Sequence, residues 1–216
     1  MTSKIKDLIA QNLCKPGSGI FGWYVTKSVF LKRNVILEEN AARLCNIEPD
    51  HHVLEVGFGP GVGLAAACKY ISGGTGKIHG VDISDKMVEL AQRRLSSEIE
   101  KGKVCIQKGS VSHLPFNNDT FDRVFHCNCY YFWPDLRESC RELLRVMKPR
   151  AYMVTTINLN SIQNTNAQGY MKYGRSDHVT YMKTLTEIGF EDVNVQTYED
   201  NGKEYQAMFA YVKNKS

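Results

Sequence analysis

No stretch of this sequence is long and apolar enough to span a bilayer, and no run of five like charges occurs anywhere in it. A transmembrane helix, a polybasic membrane anchor and a nucleic-acid-binding arm are therefore not expected. The first twenty residues alternate charged, polar and apolar types without a continuous apolar core, so no secretory leader is expected and the protein reads as cytoplasmic. Internal repeats, low-complexity tracts and linker-like segments are lacking too. No His or Cys follows Cys127 and Cys129 at zinc-site spacing, which excludes an obvious metal centre. The seven cysteines are an odd number and mostly sit in apolar, periodic stretches, as reduced thiols acting as small hydrophobes do.

What is present is enough apolar material for one core: 43% of 216 residues. The net charge of +4 comes from dispersed lysines and arginines and favours a small or neutral substrate over a polyanionic partner. After a basic N-terminal stretch, Leu37, Ala41 and Leu44 recur at helical spacing, and Pro49-Asp50 closes that helix before a first strand. Strands are then predicted over Lys77 to Ile83, Val104 to Gln107, Phe121 to Cys127 and Tyr152 to Ile157. Helices between them start at Ser84 and at Pro134-Asp135, the second ended by Pro149. The polar segment Asn158 to Ser176 reads as a long loop. A helix from Val179 to Ile188 stops at Gly189, and the runs Val193 to Tyr198 and Tyr205 to Val212 join through Asp200-Asn201-Gly202 as an antiparallel hairpin. The βα alternation predicts an α/β fold: a doubly wound, mostly parallel seven-stranded sheet closed by that hairpin, with ligands at the carboxyl ends of the strands.

Val53 to Gly63 carries the chemistry. An apolar run ends in Glu55 and breaks into Gly57, Gly59, Gly61 and Gly63 before a helix begins, a loop that lets a nucleotide-like ligand reach the backbone. A dinucleotide fingerprint started at Gly57 fails at Val62. The register Gly61, Gly63, Ala66 matches it, but begins four residues beyond the strand.

The constellation resembles the class I S-adenosylmethionine-dependent methyltransferases, in particular small methyltransferase-domain proteins of the type 11 kind. The resemblance rests on Glu55-Val56-Gly57-Phe58-Gly59-Pro60-Gly61, on Gly80-Val81-Asp82-Ile83-Ser84, on Gly109-Ser110-Val111 and on Phe121-Asp122-Arg123-Val124. It implies a Rossmann-like methyltransferase fold that binds S-adenosylmethionine and releases S-adenosylhomocysteine. It further implies cofactor contacts from Glu55, Gly57, Phe58, Gly59, Gly61, Asp82, Ile83, Met87, Ser110, Val111 and Asn128. Asp82 would take both ribose hydroxyls, since a carboxylate accepts two charge-assisted hydrogen bonds from a vicinal diol. Ser110 departs from the family pattern, which often has an acid there.

No catalytic side chain is singled out, because the sulfonium activates the methyl group and the protein has only to align a nucleophile and exclude water. On strand alternation His126 and Asn128 share a face; His126 is expected to be structural and Asn128 to face the ligands. Phe21, Trp23, Tyr24, Tyr130 and Tyr131 are the expected acceptor contacts. Residues 1–34 are expected to form a lid or substrate segment over one methyltransferase domain, 35–216. The expected activity is methyl transfer to a small-molecule acceptor by in-line displacement, without a nucleic-acid or membrane partner. Alternatives are a protein or RNA methyltransferase, a nicotinamide-dependent oxidoreductase and a catalytically silent cofactor-binding module.

Overall fold

The computed structural model describes residues 3–174 and 177–214. Two helices, α1 (Ser3–Cys14) and α2 (Ile20–Val25), come first; α2 runs on into a single wide π-type turn over Thr26–Phe30, and α3 (Val35–Leu44) follows. The alternating part comprises β1 (His52–Val56), α4 (Val62–Cys68), β2 (Lys77–Asp82), α5 (Asp85–Arg94), the short α6 (Ser96–Glu100), β3 (Val104–Lys108), β4 (Phe121–Cys127), α7 (Leu136–Val146) and β5 (Met147–Ile157). Helices α8 (Leu159–Ala167) and α9 (His178–Ile188) lead to the hairpin of β6 (Phe190–Asp200) and β7 (Lys203–Val212).

The seven strands form one sheet in the order β3-β2-β1-β4-β5-β7-β6, with β7 antiparallel to both neighbours. Strand order reverses between β1 and β4, so the crevice for a ligand opens at their carboxyl ends. Strand alternation sends Leu54, Val124 and Met153 to one face, under α7 and α9, and Val53, Phe125 and Val154 to the other, under α3, α4 and α5. Local signals agree: Ser84 accepts from the Met87 N–H, Asp135 from the Glu138 N–H, and Gly189 takes φ +117° to stop α9. The hairpin turns on Asn201 (φ +51°) and Gly202 (φ +70°), the backbone pair a tight primed turn demands.

Four expectations are corrected. The polar stretch after β5 contains α8, started by Asn158, whose side chain accepts from the Ser161 N–H, and held down by one buried residue, Ile162. A helix with so narrow an apolar contact leaves almost no periodic trace in sequence; residues 175 and 176 of the expected loop lie outside the described residues. Strand β5 begins at Met147 and not at Tyr152, because Pro149 lies in its first residues, where its missing N–H costs nothing, and Arg150 takes φ +66°. Helices α1 and α6 were not expected. Finally β4 ends at Cys127 and Asn128 takes φ +48°, so strand alternation does not extend to it.

Candidate functional site

Gly57, Gly59 and Gly61 take φ of +67°, +53° and +80°, a left-handed path between β1 and α4. The loop is held by the Gly57 N–H donating to Val81 O (2.8 Å), the Gly61 N–H to Phe58 O (3.0 Å) and Arg94 Nε to Pro60 O (2.9 Å). A Cβ on Gly59 would point into open space, so the chain offers bare backbone there. Asp82, at the end of β2, is buried; its carboxylate accepts from the Gly59 N–H (3.0 Å) and the Ser84 N–H (2.8 Å).

A cavity opens beside these groups, lined by Gly57, Asp82 and Ile83 on one side, by Gly109, Ser110 and Val111 on another, and by Cys129, Phe132 and Trp133 on a third. Cys14 and Lys15 close its rim, and Ser84 Oγ donates to Pro16 O (2.6 Å), which fastens the N-terminal segment across the opening. The sequence carried no periodic signal for this contact, because only the tertiary fold brings residues 14–16 to β2.

Of the expected cofactor contacts, Gly57, Asp82, Ile83, Ser110 and Val111 line this one cavity. Gly59 and Gly61 belong to the adjoining loop. The side chain of Phe58 is fully buried, and its Cδ1 lies 2.8 Å from where a Gly80 Cβ would stand; only its backbone faces the loop. Met87 is 1% exposed in the core under α5, so its side chain packs the fold and does not line the cavity. Asn128 lines a second cavity with Arg33, Asn34, Leu37, Ser161 and Lys203, at the carboxyl ends of β4 and β5. Its Nδ2 donates to Asn34 Oδ1 (3.2 Å), and its buried Oδ1 has no partner among the described residues.

The aromatic residues that follow β4 divide between core and cavity. Tyr130 and Tyr131 lie in a 3₁₀ turn, Tyr130–Phe132, that swings both inward; Tyr130 stacks on Tyr181 at 4.3 Å and is 1% exposed. Phe132 and Trp133 instead reach the first cavity. In the N-terminal segment Phe21 is half-buried, Tyr24 lines a third cavity with Leu13, Arg33 and Tyr170, and Trp23 stands outside all of these cavities. His126 is wholly buried: Nε2 sits 2.9 Å from both Tyr181 Oη and Thr155 Oγ1, and Nδ1 is 3.4 Å from Cys129 Sγ. Burial pushes its pKa down to about 3, so it is a neutral, structural imidazole.

Three acidic side chains gather beneath the loop, one of them missed in sequence. Glu55, on β1, reaches the start of α4, where its carboxylate accepts from the Leu64 N–H; a Cβ on Gly63 would stand 2.3 Å from Oε1, so glycine is required there. Glu38 comes from the buried face of α3 and accepts from the Gly63 N–H. An acid beside the apolar stripe Leu37, Ala41 was the available signal. One oxygen of each carboxyl, Oε2 of Glu38 and of Glu55, is buried without a partner among the described residues. Burial, opposed by the Gly63 hydrogen bond, pushes Glu38 up to about 8, and burial also raises Glu55 well above its ordinary value and Asp82 to about 6.

These shifts have a consequence for stability. A carboxyl whose folded pKa exceeds its unfolded one binds its proton more tightly in the fold, so its contribution is complete below the unfolded value and is lost as pH rises through the folded value. Glu38 spans 4.5 to about 8. The ligand-free protein is therefore expected to melt at falling temperature as pH rises from about 5 to 8, and Glu38→Gln to flatten that slope. Thermal unfolding across the pH series checks this, and an unchanged slope in the variant would refute it.

The site fits S-adenosylmethionine on its own geometry. Asp82 offers a carboxylate to a diol, the left-handed glycines offer backbone without side chains, and Ile83, Val111 and Phe132 form apolar walls for a purine. No group of three or more potential metal-ligating side chains occurs among the described residues. When bound, that cofactor supplies an electrophilic methyl group.

Comparison with known proteins agrees. Residues 53–150 match the family model described as "Methyltransferase domain". The chain is 29% identical over 144 residues to the uncharacterized methyltransferase YdaC of Bacillus subtilis, covering 67% of this chain and 74% of that one. It is 33% identical over 103 residues to a demethylmenaquinone methyltransferase of Lactiplantibacillus plantarum, covering 48% of this chain and 43% of the relative, so it spans less than half of that protein. In fold it is similar to a SAM-dependent methyltransferase from Aquifex aeolicus, with a TM-score of 0.67, 20% identity and coverage of 87% and 96% of the two chains. With the glycine loop and Asp82 at the switch point of a seven-stranded sheet, these likenesses show a methyltransferase domain over residues 53–150, in a chain with the fold of S-adenosylmethionine-dependent methyltransferases.

Proposed function

We propose that the protein transfers a methyl group from S-adenosylmethionine to a small-molecule acceptor held at the carboxyl ends of β4 and β5. The observation that carries this reading is the position of Asn128 and Cys129. These neighbours face different cavities, Cys129 the one lined by Asp82 and the glycine loop, Asn128 the one lined by Asn34, Arg33 and Lys203. The step between β4 and α7 is thus the partition between donor and acceptor.

Each residue has a task in that scheme. Asp82 accepts from the ribose diol, and the backbone at Gly57 to Gly61 cradles the methionine portion of the cofactor. Phe132 and Trp133 exclude water from the donor side. Asn128 Oδ1, short of a partner, takes a hydrogen-bond donor of the acceptor and so aligns its nucleophilic atom, the condition for in-line displacement. Arg33 and Lys203 at the cavity favour an acceptor bearing a carboxylate or phosphate. The segment 1–34, fastened by Pro16 to Ser84, serves as the cover over both cavities, with Tyr24 on the acceptor side.

Incubation of the protein with methyl-labelled S-adenosylmethionine and a metabolite extract is expected to place label in small molecules. Asn128→Ala is expected to lower kcat/KM for the acceptor about tenfold to a hundredfold, the worth of one buried hydrogen bond, with cofactor affinity nearly unchanged. Label found only in protein or RNA would overturn the proposal.

A further inference from the structure

Helix α2 and the wide turn after it present their apolar face outward. Gly22, Val25 and Thr26 are buried against the body of the protein, Gly22 so closely that a Cβ would stand 1.9 Å from Gly17 O. The opposite face, at spacings of three, four and seven residues, carries Ile20, Trp23, Tyr24 and Lys27, and Leu31 extends it beyond the turn. Ile20, Trp23, Tyr24 and Leu31 are 76%, 60%, 50% and 37% exposed. An apolar face of this kind, continuous over three turns, marks an interaction surface and not scattered exposure.

The charge of the chain is concentrated in the same place. Residues 1–34 hold Lys4, Lys6, Lys15, Lys27, Lys32 and Arg33 against a single acid, Asp7, a net of +5 in a chain whose total is +4. The remaining 182 residues therefore carry −1, so the excess that looked dispersed over the whole sequence belongs to the N-terminal segment. Lys27 Nζ sits 4.9 Å above the Trp23 ring, and Lys32 and Arg33 are exposed at the end of the face. Among the described residues none of these three forms an ion pair with an acid. Tryptophan and tyrosine flanked by aliphatic side chains, with basic residues that can reach outward along the same face, are what an interfacial helix uses against negatively charged lipid.

We propose that this face docks the protein on the surface of an anionic lipid bilayer, with α2 lying in the plane of the interface. No helix among the described residues is long and apolar enough to cross a membrane, and the association proposed is a peripheral one. Tyr24 and Arg33 belong both to this face and to the cavity behind it, which also includes Val29 and Tyr170; docking turns that cavity toward the lipid. The aliphatic Ile20 and Leu31 favour hydrocarbon over nucleic acid, whose single strands are gripped by stacking rings in a basic groove. The inference does not depend on the identity of the methyl acceptor.

Flotation of the full chain with vesicles of phosphatidylcholine alone, and of phosphatidylcholine mixed with phosphatidylglycerol, tests it. The protein is expected to float with the mixed vesicles and not with the neutral ones, and high salt should release it. The triple variant Lys27→Gln, Lys32→Gln, Arg33→Gln is expected to bind about a hundredfold more weakly. The double variant Ile20→Ser, Trp23→Ser is expected to lose at least about tenfold. All five positions are exposed, so both variants should keep the wild-type melting temperature. Failure to float with the anionic vesicles, or variants that float like the wild type, would overturn the proposal. RNA binding that the triple variant abolishes and the double variant leaves intact would assign the face to nucleic acid instead.

Discussion

Replacing Asp82 with Ala is expected to abolish the rise in melting temperature that S-adenosylmethionine or S-adenosylhomocysteine produces. A ligand that binds only the folded state stabilises it in proportion to the logarithm of its concentration over Kd, so the shift reports affinity directly. Two hydrogen bonds from a diol to a carboxylate are worth about 1.5–3 kcal/mol each, and their joint loss weakens binding by about two to four orders of magnitude. The loop would suffer as well, since Asp82 also accepts from the Gly59 and Ser84 N–H groups. Asp82→Asn separates the two effects, because its carbonyl oxygen can still accept from one of those N–H groups while the charge is gone.

The same residue sets a pH dependence. Burial holds Asp82 at about 6, so the ionised form that accepts both hydroxyls is lost as pH falls through that value, and cofactor affinity should decline below about pH 6. In Asp82→Asn the affinity should be low and insensitive over the same range. Calorimetric titration with S-adenosylhomocysteine at several pH values checks both statements. An undiminished thermal shift in Asp82→Ala would remove the ribose role from this residue.

Gly61→Ala is expected to cost about 2–5 kcal/mol of stability. One part is conformational: φ of +80° places the residue in the left-handed region, which costs a residue with a Cβ about 1–2 kcal/mol. The other is packing, since the new Cβ would stand 2.9 Å from Ala91 Cβ and 3.2 Å from Ala91 Cα, forcing α4 away from α5 at an overpacking cost of about 1–3 kcal/mol. For a chain of this length that lowers the melting temperature by roughly 4–20 °C. Adding Ala91→Gly should recover the packing part and leave the conformational part. Gly59→Ala supplies the contrast: its φ is +53° but its Cβ would meet nothing, so only about 1–2 kcal/mol should be lost. Equal melting temperatures for Gly59→Ala and Gly61→Ala would mean that the contact with α5 contributes nothing.

The donor half of the site was legible in sequence because local grammar encodes it. Glycines that must take positive φ, an acid at a strand end and a serine cap lie within a few residues of one another, and each restricts the backbone irrespective of what packs around it. The groups that docking adds to it were not legible. Tyr130 and Phe132 are two residues apart, and only the 3₁₀ turn, set by how β4 meets α7, decides that Phe132 faces the cavity while Tyr130 stacks on Tyr181 from a distant helix. Glu38 reads as an ordinary helical acid until α3 docks and brings it to the Gly63 N–H.

By itself, then, the sequence determined the α/β alternation, the hairpin, the glycine loop and Asp82, since these depend on φ preferences, periodicity and caps acting over short spans. Tertiary structure decided which aromatic rings line a cavity, that Asn128 leaves the strand and faces Arg33 and Lys203, that Pro16 is fastened to Ser84, and that α2 turns its apolar face to solvent. The physical reason is the same in each case. Burial and hydrogen-bond pairing between segments far apart in the chain depend on how elements dock, and docking is settled by the shape and area of whole faces, which no short stretch of sequence contains.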